Sequence, residues 1–292
     1  MNDTIQLSNV EVRYGDAVAL DGITLTIRRG APLVILGRNG AGKTTLLSTL
    51  AGLLRPHRGQ LTIPHNIRVS YLPEDRGVYP TMTVTEHLTF FADLAGLKHS
   101  TVPHWLKTFE LDQYATYQVQ ELSKGNQQRV QLACALIDDP ECIILDEPLS
   151  GLDPIARHLI ISVLRSYARN HWIILSAHEV EPIADMATDI AFIRHGEIVQ
   201  AGSVKELYET YGKHALLAER PEALKTAIAN RAGLTATTTK DGWLRVSGFT
   251  DHSDAVDFLA SASTDPGQFC WSLPSMSDLY VTIIGQKGPH HV

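Results

Sequence analysis

Two hydrophobic patterns distinguish two kinds of predicted strand within residues 1–212. Ile23, Leu25 and Ile27 alternate with polar residues, which is typical of a half-buried antiparallel strand. Residues 5–14 and 60–72 carry similar short patterns. The runs 33–36, 142–146 and 172–176 are instead apolar almost throughout and suit a sheet covered on both faces. The pattern therefore predicts an antiparallel layer beside an α/β core.

Helical periodicity follows the first apolar run and returns farther along the chain. Leu46, Leu47, Leu50 and Leu54 recur at helical spacing after residues 33–36. Thr83 and Glu86 have the spacing of a capping box, which predicts a helix that ends near Ala95. Further helices are predicted over 102–109, over 123–137 and from Pro154 onward, where Asp153 precedes a proline at the first helical position. Residues 1–212 thus predict an α/β domain with a helical insert at about 83–140.

A second, smaller α+β domain is predicted for residues 213–292. Strands over 214–218, 234–239, 243–247 and 268–273 are interleaved with helices over 221–232 and 252–262. Asp241-Gly242 is a strong two-residue hairpin signal. The resulting order β-α-β-β-α-β favours a ferredoxin-like plan, and a shorter helical tail is the alternative.

Composition excludes several classes of protein. The chain has 292 residues, 44% hydrophobic and 20% charged, which are globular values. A net charge of -7 argues against a dominant nucleic-acid-binding surface. We expect neither a membrane-spanning segment nor a secretory signal, because no long apolar run occurs and the first residues lack a basic segment. Cys134, Cys142 and Cys270 are expected to be buried thiols.

The strongest chemical motif is a glycine-rich loop between a predicted strand and a predicted helix. It fits the P-loop pattern G-x-x-x-x-G-K-[ST], whose glycines let backbone N–H groups approach phosphate oxygens. Lys43 is expected to reach the β- and γ-phosphates and the Thr44 hydroxyl to hold Mg²⁺, so ATP and Mg²⁺ are the predicted ligands. The predicted ATP-binding residues are Gly37, Arg38, Asn39, Gly40, Ala41, Gly42, Lys43, Thr44 and Thr45.

An acidic pair ends the apolar run 142–145. Asp146 is predicted to lie at the carboxyl edge of the sheet and to hold Mg²⁺, either directly or through water. Glu147 follows it and could activate an attacking water as a general base. The alternatives are a loop-capping carboxylate for Asp146 and a solvated side chain for Glu147.

A second anion site is predicted where Ser123 caps a helix, because a serine hydroxyl and helix amides bind anions well. Two anion sites and one nucleotide favour a head-to-tail dimer in which the Ser123 site of each subunit closes on the ATP of the other.

These motifs, in this order, resemble the ATP-binding cassette ATPases of ABC transporters over about residues 3–212. The resemblance implies that Ser123, Gly125 and Asn126 contact the ATP of the partner subunit, and that Asp153 lies at the dimer interface, where it could equally serve as a helix N-cap. It also implies that His178 senses the γ-phosphate and that Tyr14 stacks on adenine; simple packing is the alternative for each.

Two positions depart from the usual motifs of that family. Glu74 stands where the family carries glutamine, and a carboxylate there could still bind Mg²⁺ and orient water. Lys124 replaces a glycine of the signature motif and could reach the nucleotide of the partner or face solvent. Both departures resemble an export-associated branch with a small C-terminal domain.

The resemblance implies an ATPase subunit that drives transport through separate membrane permease subunits. It implies a homodimer or a pair with a paralogous ATPase, on the cytoplasmic face of the cell membrane. The alternatives are a non-transport ATPase of the same type, which a single P-loop and the lack of heptads argue against, and a nucleotide-gated regulatory dimer, which Glu147 argues against.

Overall fold

The computed structural model of the chain describes residues 3–74, 77–180, 186–212, 214–219, 221–238, 242–261 and 269–285. The chain forms two compact units, residues 1–204 and 205–286. The division follows Val204, whereas the sequence predicts a domain boundary after Gly212; the helix Val204–Tyr211 accounts for the difference.

The first unit is a mixed α/β domain with two sheets. Its strands are β1 (Thr4–Tyr14), β2 (Ala17–Arg28), β3 (Leu33–Leu36), β4 (Arg58–Thr62), β5 (Val69–Leu72), β6 (Cys142–Leu145), β7 (Trp172–Ala177), β8 (Asp189–Arg194) and β9 (Glu197–Ser203). Its helices are α1 (Lys43–Leu50), α2 (Val84–Leu94), α3 (Val102–Thr108), α4 (Lys124–Leu136) and α5 (Pro154–Ala168), with short 3-10 turns at His99–Thr101, Asp112–Tyr114 and Val119–Glu121.

A six-stranded sheet in the order β5-β6-β7-β3-β8-β9 forms the centre of this unit. Neighbouring strands are parallel except for the antiparallel pair of β8 and β9. Every residue of β3, β6 and β7 is buried, which confirms the prediction of strands covered on both faces. Since the parallel strands all end at one edge, the loops that follow them meet there.

An antiparallel sheet in the order β2-β1-β4 forms a second layer. The alternation at Ile23, Leu25 and Ile27 is confirmed, because these three side chains are buried and the residues between them are exposed. One apolar core joins this layer, α1 and the central sheet. Leu46 and Leu47 of α1 are fully buried in it, and each contributes about 1.5–3 kcal/mol by that burial. This anchors the helix that follows the P-loop.

The helical insert consists of α2, α3, α4 and the short turns between them. The capping box is present: the Thr83 hydroxyl accepts a hydrogen bond from the Glu86 amide, and the Glu86 carboxylate accepts one from the Thr83 amide. The predicted N-cap Ser123 is likewise found at the start of α4.

The second unit has the predicted order β-α-β-β-α-β, preceded and followed by a helix. Its elements are α6 (Val204–Tyr211), β10 (Ala215–Ala218), α7 (Pro221–Ala229), β11 (Thr235–Thr238), β12 (Leu244–Ser247), α8 (His252–Ser261), β13 (Phe269–Ser272) and α9 (Met276–Gly285). The sheet order is β11-β12-β10-β13, and each neighbouring pair is antiparallel, as in the ferredoxin-like plan. Asp241 of the predicted hairpin turn lies outside the described residues.

Several features were not predicted from the pattern. The strands β8 and β9 and the helices α6 and α9 were missed, and α7 ends at Ala229 before the predicted Ala232. The expectation for Cys270 was wrong: Cys134 and Cys142 are buried, but Cys270 is exposed, because its neighbour Trp271 packs against the core of the small unit and successive side chains of a strand lie on opposite faces.

Candidate functional site

Four chemically important segments meet at the carboxyl edge of the central sheet. The P-loop follows β3, Glu74 follows β5, the pair Asp146-Glu147 follows β6, and His178 follows β7. The register aligns these strand ends, since Leu36 is opposite Ala177 and Leu145 is opposite Leu72. The order of the strands therefore brings together residues that are far apart in the sequence.

The P-loop has the conformation that a phosphate cradle requires. A Cβ atom at Gly37 would lie 2.6 Å from the Ile193 carbonyl oxygen, so no larger residue fits there. Gly40 and Gly42 have φ angles of 80° and 105°, which favour glycine. Gly42 occupies the N-cap of α1 and no side chain caps that helix, so its first amides remain available to an anion.

A chain of polar contacts joins Lys43, Glu147 and His178. The Lys43 ammonium donates to the Gly37 carbonyl oxygen at 2.9 Å and lies 3.1 Å from Glu147 Oε1. The other carboxylate oxygen, Oε2, lies 2.8 Å from His178 Nδ1. The side chains of Lys43 and Glu147 are only 6% and 7% exposed, so this ion pair is screened little by solvent.

Backbone strain also marks Glu147. Its φ angle is 50°, in the left-handed region that costs a non-glycine residue about 1–3 kcal/mol. The Glu147 amide donates to Ser176 Oγ at 2.8 Å. The strained backbone is thus held by a hydrogen bond from the neighbouring strand β7.

Asp146 has the surroundings of a metal ligand. It is 1% exposed, and its Oδ1 accepts a 2.5 Å hydrogen bond from the Ser176 hydroxyl. Among the described residues, Oδ2 has no hydrogen-bond partner although it is buried. A buried carboxylate oxygen of this kind requires a counter-charge, and Mg²⁺ is commonly held by one or two carboxylates together with nucleotide phosphates. The residues present therefore fit Mg²⁺.

A cavity of about 600 Å³ opens over Lys43 and Glu147, whereas Asp146 and His178 are not among its lining residues; His178 lines a smaller pocket that shares Glu147 with it. Of the predicted residues, Asn39, Gly40, Gly42, Lys43, Thr44, Thr45, Glu74 and Glu147 line the larger cavity. Tyr14 is 55% exposed and is not among the lining residues, so its contact with adenine stays a prediction. The contacts of Gly37, Arg38 and Ala41 with ATP also stay predictions, because these residues belong to the loop but do not line the cavity.

Four further residues that the sequence pattern does not predict line the cavity. They are Val18 and Ala19 at the start of β2, and His195 and Gly196 at the turn between β8 and β9. A Cβ atom at Gly196 would lie 2.6 Å from the Ala19 carbonyl oxygen, so these two segments are in close contact. His195 and Gly196 both have positive φ angles, as a two-residue hairpin turn requires, but their sequence is not a usual turn signal.

The residues predicted to reach a partner subunit lie outside this cavity. Ser123 Oγ accepts from the Asn126 amide at 3.3 Å, and Asp153 Oδ1 accepts from the Ile155 and Ala156 amides at 2.9 Å each. The hydrogen bond from the Ala156 amide is the main cause that lowers the Asp153 pKa below its usual value. The N-cap interpretation of Asp153 is thus confirmed, while the role of Asp153 at an interface stays a prediction.

The beginnings of α4 and α5 are in contact. A Cβ atom at Gly125 would lie 3.3 Å from Ala156 Cβ and 3.6 Å from Asp153 Oδ2. A Cβ atom at Gly151 would lie 2.6 Å from Lys124 Nζ, so the Lys124 side chain crosses the loop before α5. Lys124 is exposed, and its ammonium lies close to Gly151 of its own chain. A contact of Lys124 with the nucleotide of a partner subunit stays a prediction.

Comparison with known proteins identifies relatives of this chain. A family model described as "ABC transporter" matches residues 20–150. An uncharacterized ABC transporter ATP-binding protein of Bacillus subtilis, YhaQ, is 32% identical over 293 residues, which cover 96% of this chain and 98% of that protein. A Nod factor export ATP-binding protein I of Ralstonia nicotianae is 35% identical over 251 residues, 75% of this chain and 78% of that one.

Solved structures show the same fold. An ATP-binding subunit of an ABC transporter is 26% identical and superposes with a TM-score of 0.64 over 71% of this chain and 92% of that chain. An ATP-binding cassette solved as a dimer in a post-hydrolysis state, with ADP and phosphate bound, superposes with a TM-score of 0.62 at 22% identity over 68% of this chain and 98% of that one. In the part of this chain that the structure describes, no helix is both long and apolar enough to cross a membrane.

Proposed function

The chain belongs to the ABC transporter ATP-binding family, and on that premise we propose that it binds and hydrolyses MgATP in the cavity beside the P-loop and thereby drives transport through separate membrane subunits. The observation that carries the site assignment is the chain of contacts Lys43–Glu147–His178 at the carboxyl edge of the sheet. Glu147, the proposed base, lies within hydrogen-bonding distance both of Lys43, the proposed phosphate-binding cation, and of His178, the proposed sensor, which supports the assignment.

The nucleotide phosphates bind to the P-loop in this proposal. The amides at the start of α1 and the Lys43 ammonium contact phosphate oxygens. Lys43 is already tied to the Gly37 carbonyl oxygen, which limits the freedom of its side chain. When ATP enters, Lys43 exchanges its contact with Glu147 for one with phosphate, and the Glu147 carboxylate becomes available to water.

Hydrolysis proceeds by in-line attack of water on the γ-phosphorus. The bond from water oxygen to phosphorus forms while the bond from phosphorus to the bridging oxygen breaks, and ADP leaves with that oxygen. Glu147 accepts the proton that water loses, and the proton passes on to phosphate or solvent. The 2.8 Å contact between His178 and Glu147 Oε2 supports a role for His178 in orienting the carboxylate.

Mg²⁺ would be held by the Thr44 hydroxyl and by Asp146, with Glu74 as a further ligand, and would neutralise charge on the phosphates. The unpartnered Oδ2 of Asp146 supports this assignment, and Ser176 orients the carboxylate through Oδ1.

Two copies of the chain complete two sites in a head-to-tail dimer. The chain carries one P-loop and one Ser123 motif, so a pair of identical chains supplies both halves of each site. Ser123, Gly125, Asn126 and Asp153 of one subunit then close on the nucleotide of the other. The exposure of Ser123 at the start of α4, outside the cavity of its own chain, supports this arrangement.

The subunit acts on the cytoplasmic face of the cell membrane, where permease subunits dock near the segment that follows Glu74. Export is the favoured direction, since relatives in this family include proteins named for Nod factor export.

Phosphate release by the purified chain tests the proposal. The wild-type chain should release phosphate from ATP only when Mg²⁺ is present, and Lys43→Ala should lose both nucleotide binding and release. If the wild-type chain binds MgATP but releases no phosphate with or without its membrane partners, the proposed hydrolysis is wrong.

A further inference from the structure

A buried histidine of the helical insert, His87 on α2, is tied to two segments of the proposed site. It is 1% exposed. Its Nε2 atom lies 3.2 Å from the Tyr79 amide nitrogen, and its Nδ1 atom lies 3.3 Å from Cys134 Sγ. Both ring nitrogens are therefore used.

These two contacts fix the protonation of the ring. The Tyr79 amide can only donate, so Nε2 must be the unprotonated, accepting nitrogen. Nδ1 then carries the proton and donates to the Cys134 sulfur. Burial raises the pKa of the Cys134 thiol, so that sulfur stays neutral and acts as a weak acceptor. Burial also lowers the His87 pKa below its usual value, in agreement with a neutral ring.

The ring is further held by aromatic neighbours. His87 stacks on Phe91 with ring centroids 5.2 Å apart and planes at 27°. Tyr79 packs against His87 at 5.7 Å and against Phe90 at 5.2 Å. The segment that carries Tyr79 is thus fastened to α2 by one hydrogen bond and two ring contacts.

The two segments joined by His87 belong to different parts of the proposed mechanism. Tyr79 follows Glu74, which lines the nucleotide cavity of its own chain. Cys134 lies on α4, the helix that begins after Ser123. His87 therefore forms a short connection between the segment at one nucleotide and the helix proposed to close on the other.

The alternative is a histidine that merely satisfies its own hydrogen bonds in a core. A leucine would fill much of the same volume without burying a polar ring, and burying a polar group costs free energy unless it is bonded. A histidine that bonds only within one helix would suit the core equally well. His87 instead bonds to a loop amide on one side and to a different helix on the other, which a packing role does not require.

We propose that His87 is a positioning residue that holds the segment around Tyr79 in register with α4, so that Glu74 and Ser123 move as one body. The inference rests on the proposed function, because its consequence is measured in turnover. Loss of the tie leaves the P-loop intact but lets α4 shift relative to Tyr79.

Three substitutions test the proposal in the full-length chain. His87→Leu removes both hydrogen bonds. His87→Gln can place a carbonyl oxygen where Nε2 accepts from Tyr79, whereas the shorter His87→Asn cannot reach that amide. His171→Leu is the matched control, since His171 bonds to Tyr167 and Asp139 before β6 and β7 begin, away from the carboxyl edge.

The measurements are kcat and KM for ATP, binding of an ATP analogue, and hydrogen exchange at the Tyr79 amide. His87→Leu should lower kcat about tenfold to a hundredfold, because displacement of a site by about 1 Å can cost that much, while analogue binding stays unchanged. The Tyr79 amide should exchange faster in His87→Leu and His87→Asn than in the wild-type chain. His87→Gln should recover both protection of Tyr79 and turnover, and His171→Leu should match the wild type.

The outcomes are separable. Wild-type kcat in a folded His87→Leu chain overturns the inference, as does a fall in kcat without faster exchange at Tyr79, or an equal fall in His171→Leu. If His87→Leu does not fold, equal kcat values in His87→Gln and His87→Asn overturn it. If the wild-type chain itself has no turnover, the proposed function fails. Hydrogen exchange at the Tyr79 amide in the variants then still tests whether His87 holds the segment around Tyr79.

Discussion

Removing the hydroxyl of Ser176 should damage both acidic residues of the site at once. Ser176 is fully buried on β7, donates to Asp146 Oδ1 and accepts from the Glu147 amide. The substitution Ser176→Ala deletes both hydrogen bonds with little change of volume. It leaves a buried carboxylate oxygen and a partly buried amide without these partners.

The magnitude follows from those two bonds. A hydrogen bond to a charged group contributes about 1.5–3 kcal/mol, and a neutral one about 1 kcal/mol. Ser176→Ala should therefore lower the free energy of unfolding of the first unit by about 2.5–4 kcal/mol. Ser166→Ala is the matched control, because Ser166 makes a hydrogen bond within α5, to the Val163 carbonyl oxygen, and its loss strands no charged group.

Native-state hydrogen exchange of β6 and β7 measures this stability without interference from the second unit. The concentration of Mg²⁺ that gives half-maximal turnover should also rise in Ser176→Ala, because Asp146 is no longer oriented. Equal stabilities of Ser176→Ala and Ser166→Ala, with an unchanged Mg²⁺ requirement, would refute the argument that Ser176 holds the two carboxylates.

Two further predictions concern Glu147 and His87. Glu147→Gln should keep ATP binding but lose turnover by about 10²–10⁴-fold, since the amide cannot accept a proton; undiminished phosphate release would rule out Glu147 as the base. Because burial lowers the His87 pKa, the unfolded chain takes up the proton first as pH falls, so the contribution of neutral His87 to stability is lost below the usual pKa of about 6.5. The unfolding free energy of the wild type should therefore fall relative to that of His87→Gln as pH falls through that range. A difference between the two that does not depend on pH would show that His87 titrates alike in the folded and unfolded states.

The sequence predicted those parts of the site that depend on contiguous residues. The P-loop is a local motif, and its glycine conformations and the position of Lys43 follow from spacing alone. The pair Asp146-Glu147 was found because an apolar run ends there and parallel strands end at a common edge. Thr83 and Glu86 were found because a capping box spans only four residues.

The missed parts depend on which strands are neighbours. Ser176 lies inside an apolar run, and its two hydrogen bonds exist only because β6 pairs with β7. His195 lies between two strands that were not predicted, and it reaches the cavity only because β8 pairs with β3. His87 occupies an ordinary helical position, and its partners Tyr79 and Cys134 lie on separate segments. Pairing of this kind is set by tertiary packing and leaves no local signal.

The second unit shows the same contrast. Its hairpin and alternating elements were predicted from turn signals and periodicity, and the sheet order agrees with the predicted plan. The apolar neighbours of Cys270 predict a buried thiol, but Cys270 lies on the face of β13 opposite to Trp271, which packs against the core, and is exposed.

The central claim is that each nucleotide is held by the P-loop of one subunit and the Ser123 motif of the other. Turnover by a mixture of two inactive variants tests this claim most directly. One chain carries Lys43→Ala and the other carries Ser123→Arg. In a head-to-tail dimer the mixed pair contains one site with an intact P-loop and an intact serine, so mixing should restore phosphate release, whereas wild type mixed with the double variant serves as the control for pairing. If the two single variants remain as inactive together as apart, although they demonstrably pair, each site is built within one chain and the account is contradicted.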